Sequence, residues 1–441
     1  MTFKEIADTI LAASPAEQTE VLYRRRNESL TRFANNHIHQ NVTETNHEII
    51  VRCVSGSRCG TALSNSTHLD SLKNLPKTAF ELAKQQPENP DFKGLPEPAP
   101  LRLTNGFDSE TANCSPSVRA QGVGTVCRKA AEAGFTAAGS MTTSSMSFGV
   151  ANSRGVFAEC ETTMADASTV VMSETSSGWA QASGWKLESV NCEQLAEEAV
   201  RKTRLGQNPS LGEPGEYTVI LDPYATADLL STMAVDGMGA LAFQEERSWL
   251  NGRVGEKVLS SMVTMVDDAS DPAGIPVPFD AEGQPKQRVT IVDAGVCRGP
   301  VYDSYTAGRQ AGAASTGHAI ESVTERMGPL PMNLFLLPGT SNVEDMIAST
   351  ERGLYITRFW YTRTVHPRDV VVTGMTRDGT YIIRNGEIAG AVKSLRFTQS
   401  YLTALAGTQA IGRVGKTLWG PGACHVPAIK LERFNFTSST R

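Results

Sequence analysis

The segment QNPSLGEPG, Gln207–Gly215, constrains this chain more than any other, because its closely spaced prolines and glycines fit neither a helix interior nor a central strand. It predicts a boundary, with an N-terminal domain over 1–210 and a C-terminal domain over 211–441. A chain of 441 residues is long enough for each part to bury a core of its own.

Periodicity assigns elements on both sides of that boundary. Phe3, Ile6, Ile10 and Leu11 recur at helical spacing in an N-terminus that carries acidic residues and lacks the basic start of a signal peptide. The alternating segments Ser29–Val42 and His47–Ser64, separated by the polar stretch Thr43–Asn46, predict antiparallel strands. Residues 86–101 carry five prolines and predict an extended linker. A helix over Ser115–Ala133, a strand meander over Gly134–Met172 turning at Asn152–Gly155, and a helix over Cys192–Gly206 complete this half.

The second half opens with a strand at Tyr217–Leu221 and a helix from Tyr224 with Asp222 as its N-cap, whose apolar stripe runs Leu230, Met233, Ala234, Met238, Leu241. Strands follow at Arg288–Val292, Asn333–Leu337, Gly353–Trp360, Val370–Gly374, Tyr381–Arg384 and Glu387–Ala391. Asn385-Gly386 predicts a tight hairpin turn, Asp378-Gly379 another turn, and Ser341 with Glu344 a capping box over a helix at Thr340–Thr350. The expected class is α+β, rich in antiparallel sheet, with the C-terminal domain mostly β and a few packed helices.

Composition narrows the function. A net charge of −6 provides no basic face for nucleic acid, and the run Arg24, Arg25, Arg26 lies in an alternating segment, as a solvated strand face would. No apolar stretch approaches the roughly 18 residues of a membrane helix. Eight cysteines without CxxC pairs fit buried thiols of a reducing compartment, so a cytoplasmic protein is expected. The glycine-rich Gly308–Gly317 lacks the Gly-Lys-Ser/Thr ending of a phosphate loop, and GxSxG does not occur.

Four segments, spread in order along the chain, carry a resemblance: Ser29–Asn65, Leu211–Leu230, Ser248–Ser270 and Val289–Ile388. Together they resemble the TldD/PmbA family, named for modulation of DNA gyrase and understood as subunits of a heterodimeric zinc peptidase. In that family the catalytic subunit carries HExxxH on a helix and a cysteine near the C-terminus. Zinc there needs neutral imidazoles and a thiolate, with a glutamate to take the proton from its water.

This sequence departs from the pattern: of its seven histidines, none lies between His68 and His318. Within about 224–250, where the motif's helix belongs, the two histidine positions fall on Ser231 and Asp236 and the glutamate position on Thr232. The resemblance therefore implies the TldE-type subunit, with no catalytic residue and no metal of its own. It implies a TldD-type partner that carries the zinc, and an unfolded peptide as substrate. It also implies substrate contacts at Asn333, Gly339 and Gly353, and the loop before His318 suggests a further contact there.

Two alternatives stand beside it. A self-sufficient metallopeptidase would build its site from Cys424, His425 and Asp236, with His318 as another possible ligand. A regulatory binding protein would act without catalysis, as a homodimer. His37 and His39 alternate on one strand face, as on a polar strand surface.

Overall fold

The computed structural model describes residues 1–102, 104–321, 327–420 and 422–440. It is an α+β structure built on two sheets, one made from strands before residue 185 and the other from strands after residue 214.

The first sheet is wholly antiparallel, in the spatial order Arg58–Ser64, His37–Ser55, Gln18–Ala34, Thr136–Asn152, Phe157–Met172, Ser177–Gly184. The helix Phe3–Ala13 begins in a reciprocal cap, Thr2 and Glu5 each accepting the other's backbone N–H, and buries Phe3, Ile6 and Ile10 against Val21 and Ile49. The helices Pro116–Glu132 and Cys192–Leu205 cover another part of the sheet through Val123, Val126, Leu195 and Ala199.

One expectation fails here, and one helix lies where none was predicted. The first hairpin turns at Asn35-Asn36, both left-handed with φ of 51° and 60°, and not at Thr43–Asn46. Thr43–Asn46 lies inside a continuous strand, opposite Arg26–Ser29, where the ribbon is exposed and polarity carries no turn signal. The helix Leu69–Gln85 was not anticipated; it contains Pro76, a residue that argues against a helix interior.

The second sheet has eleven strands, and five of them close a ring. Gly215–Leu221 pairs with Arg352–His366, then Val371–Arg384, Leu395–Ser400 and Ala423–Ser439 follow in turn, and Ala423–Ser439 pairs back onto Gly215–Leu221. A closed ring leaves no free edge among its members where they pair. Phe359, Phe397 and Phe434, from three strands of the ring, pack with centroids 4.6–5.5 Å apart. Ala423–Ser439 also pairs with Asn333–Leu336, in parallel, and with Thr408–Trp419.

Within this half, Asn385-Gly386 forms the predicted hairpin with φ of 50° and 81°. Asp378-Gly379 is a bulge inside the unbroken strand Val371–Arg384, with both residues at positive φ and the Thr357 hydroxyl donating among the carbonyls of residues 377–379. The short helix Val343–Ala348 is capped by Asn342, not Ser341, whose N–H donates instead to the Ile411 carbonyl.

The helix Pro223–Gly237 lies on the strands Arg352–His366 and Ala423–Ser439. It ends where Gly237 meets Trp249 and Gly239 meets the Pro329 carbonyl, approaches that leave no room for a side chain. The stripe predicted as one helix is thus split, Leu230, Met233 and Ala234 on this helix and Leu241 on the separate turn Ala240–Gln244.

Candidate functional site

The helix Pro223–Gly237 has two faces. Ala225, Leu229, Leu230, Met233 and Ala234 are buried in the core, while Asp228, Ser231, Thr232, Val235 and Asp236, spaced at 0, 3, 4, 7 and 8, line a cavity of about 720 Å3. The opposite walls are Arg358–Thr364 on one strand, Trp179 and Gln181 from the first sheet, and Leu418, Trp419 and Cys424 from the C-terminal strands. The cavity therefore sits between the two sheets.

Two side-chain bonds join the helix to the neighbouring strand. Thr362 Oγ1 donates to Asp228 Oδ2 at 3.1 Å and Thr364 Oγ1 to Asp236 Oδ2 at 2.7 Å. Residues two apart on a strand share a face, and residues eight apart on a helix nearly do, so the two bonds are parallel. Burial pushes the Asp228 carboxyl up to about 6, although Thr362 and Arg358 pull it down. Burial also raises Asp236, against the bond from Thr364.

At the back of the cavity burial pushes the Cys424 thiol up to about 12, against a lowering influence from Ser231. Beneath lies a buried charge network. Lys202 Nζ, fully buried, donates to Asp222 Oδ2 and Glu198 Oε1, both at 2.7 Å, and Lys416 Nζ donates to Glu198 Oε2 at 2.7 Å. Burial alone would raise the Glu198 carboxyl, but the two ammonium groups hold it well below the usual carboxylate range. Asp222 stands at the N-cap of the helix, yet its side chain serves Lys202 and makes no capping bond.

The other predicted residues lie elsewhere. His318 is fully buried, with Nε2 2.9 Å from Asp267 Oδ1 and Nδ1 2.9 Å from Thr316 Oγ1, so both ring nitrogens are engaged. Asn333 is buried between two paired strands, and its amide exchanges both bonds with the backbone of Ile275. Gly339 donates its N–H to the Gly412 carbonyl and touches Ile411; Gly353 sits in the ring against Thr218. None of these four lines the cavity.

Nor are Cys424, His425 and Asp236 brought together as one ligand set. Adjacent residues on a strand point to opposite faces, so Cys424 faces the cavity while His425 packs on Phe335, 5.3 Å between ring centroids, and bonds Thr417. Among the described residues no three His, Cys, Asp or Glu side chains are grouped as a metal site. Sequence reading missed Arg358, Thr362 and Thr364, which are ordinary strand residues until the strand is laid beside the helix.

Three domain models of one family match this chain: PmbA/TldA metallopeptidase domain 1 over residues 19–83, the central domain over 115–206, and the C-terminal domain over 214–438, half of the sequence by itself. The chain belongs to the PmbA/TldD family. A metalloprotease TldD homolog of Haemophilus influenzae is 26% identical over 232 residues, 52% of this chain and 48% of that protein. One from Buchnera aphidicola is 25% identical over 240 residues, 54% of this chain and 49% of its own length. The chain thus spans about half the length of these curated PmbA/TldD relatives. TldE from Thermococcus kodakarensis superposes with a TM-score of 0.89 at 21% identity, covering 99% of both chains. A Thermotoga maritima protein described as a suggested modulator of a DNA gyrase gives 0.87 at 19%, covering 99% of this chain and 100% of that one. At these identities the likeness is one of PmbA/TldD fold.

Among the described residues no helix is long and apolar enough to cross a membrane.

Proposed function

We propose that this chain is the metal-free subunit of a two-chain peptidase, of the TldE type, and that it pairs with a zinc-bearing TldD-type chain around a chamber for unfolded peptide. One observation carries the reading: Ser231, Thr232 and Asp236, the positions that correspond to HExxxH, share one cavity with Cys424. That shared cavity supports a zinc site whose ligands have been exchanged.

The exchanged side chains do not fit zinc. A hydroxyl at 231 is a poor ligand, Asp236 is tied to Thr364, and Cys424 is kept as a thiol by burial rather than ionised to the thiolate that binds metal. No step of a metal-assisted hydrolysis is assigned to these residues. The cytoplasm is the compartment in which eight cysteines without CxxC spacing are expected to persist.

The test is to purify the chain alone and after co-expression with a HExxxH-bearing chain of the same family, then measure mass, zinc content and cleavage of an unfolded peptide. The expected result is no zinc and no cleavage alone, and a zinc-containing, active hetero-oligomer with the partner. Stoichiometric zinc and cleavage by the purified single chain would overturn the reading.

A further inference from the structure

Arg358 stands out on the strand wall of the cavity. Its guanidinium lies 4.3 Å from the centroid of the Trp179 ring and 5.1 Å from that of Trp360, so two indole faces hold its plane. Its Nε is 3.2 Å from Asp378 Oδ2, and Asp378 is itself fixed by a 2.6 Å bond from the Ser177 hydroxyl of the first sheet. The group is nearly buried, with 12% of its side chain exposed. Yet its two terminal nitrogens make no hydrogen bond within the described residues, and they are not among the nitrogens sealed from solvent. A rigid guanidinium with its fork open toward a cavity is prepared for a planar anion.

Neither carboxylate of the lining is hydrogen-bonded to the fork. Asp228 lines the same space, but one oxygen accepts from Thr362 and the other is sealed from solvent. Asp236 accepts from Thr364. A second guanidinium, Arg363, lies on the lining and stacks on Tyr361 at 4.8 Å, and Arg377 covers Trp360 at 4.6 Å. Beside the fork, Val235, Phe359 and Leu418 give the cavity an apolar wall suited to a side chain.

We propose that Arg358 receives the carboxylate at the C-terminal end of a peptide whose last side chain is apolar, which rests on the reading of this chain as one wall of a peptide chamber. Trp179 and Trp360 position the fork, and Asp378 leaves Nη1 and Nη2 for the ligand. A carboxylate bound there exchanges water for two charge-assisted hydrogen bonds on one planar face.

The test uses this chain alone and isothermal titration calorimetry. The probes are one unfolded tetrapeptide ending in leucine, as free acid and as amide, both N-acetylated. The acid is expected to bind about tenfold or more tighter than the amide, and Arg358→Lys, which keeps the charge and loses the fork, to remove that preference. Equal binding of acid and amide, or an unchanged preference in Arg358→Lys, would sink the proposal. So would inorganic phosphate displacing the acid at equal concentration, since the site would then be a general anion site. The acid and amide comparison on the unaltered chain needs no variant to fold. Because no second chain is present, a failure to pair with a zinc-bearing partner leaves this result standing, and loss of carboxylate preference leaves the pairing standing.

Discussion

Asp236 and Thr364 are joined by a 2.7 Å hydrogen bond that ties the last turn of the cavity helix to the strand beside it. On the proposed correspondence, the zinc-bearing subunit would carry a metal-ligating histidine at this position. Here the same position serves the fold. Replacing Asp236 with Ala should cost about 1–2 kcal/mol, the price of one charge-assisted hydrogen bond, read as a lower urea midpoint with unchanged slope. No change in midpoint would mean that the bond is not made in solution.

Restoring the motif is a sharper trial of the same idea. The triple variant Ser231→His, Thr232→Glu, Asp236→His places imidazoles beside Cys424 on one cavity wall. It should bind about one zinc per chain by elemental analysis, where the parent chain retains none after dialysis. A folded triple variant without zinc would show that the helix is offset from the family's metal position.

Asp228 gives the cavity a pH signature. Its folded carboxyl is raised by burial from 3.8 to about 6, so between those values the folded chain binds more protons than the unfolded one. Its contribution to stability is therefore full below about pH 4 and is lost as pH rises through about 6. Asp228→Asn should be more stable than the parent at pH 8, by up to about 2–3 kcal/mol, with the gain vanishing toward pH 4. Thermal melts of both proteins across pH 4–8 decide it; parallel curves would refute the assignment.

Lys202 is the least replaceable charge beneath the cavity. It is fully buried and answers both Asp222 and Glu198. Lys202→Ala would leave Asp222 without its ammonium partner and Glu198 with Lys416 as its remaining one, and should destabilise the chain by about 3–5 kcal/mol. Lys202→Met together with Asp222→Asn should recover part of that loss, because fewer buried charges then lack a partner. Chemical denaturation of the single and double variants makes the comparison.

Much of this architecture was legible in the residues, and the failures share a cause. The strand meander at 136–172 and the Asn385-Gly386 hairpin declare themselves through alternation and turn chemistry, both local properties. Thr43–Asn46 misled because exposed strands are polar on both faces, and Asp378-Gly379 because a bulge and a turn use the same residue types. The helix that carries Ser231, Thr232 and Asp236 was readable from its apolar stripe, although its end at Gly237 was not. His318 and Asn333 were not readable as structural residues, because their partners Asp267 and Ile275 are more than fifty positions away. Arg358 gained its significance only from Trp179 and Ser177–Asp378, contacts that cross between the two sheets.

The five-stranded ring also sets an order of events. Its closing strand, Ala423–Ser439, follows all its other members in the chain, whereas every strand of the first sheet has been made by residue 184. On the ribosome the first sheet can fold while the second half is still emerging, but the ring stays open until its final strand is released. Cys424 rides on that strand, so the cavity acquires its back wall only after its other walls have been made. A ribosome stalled shortly before residue 423 would hold a finished first sheet and an exposed, sticky half-ring, a window in which chaperones or a partner chain would find the molecule.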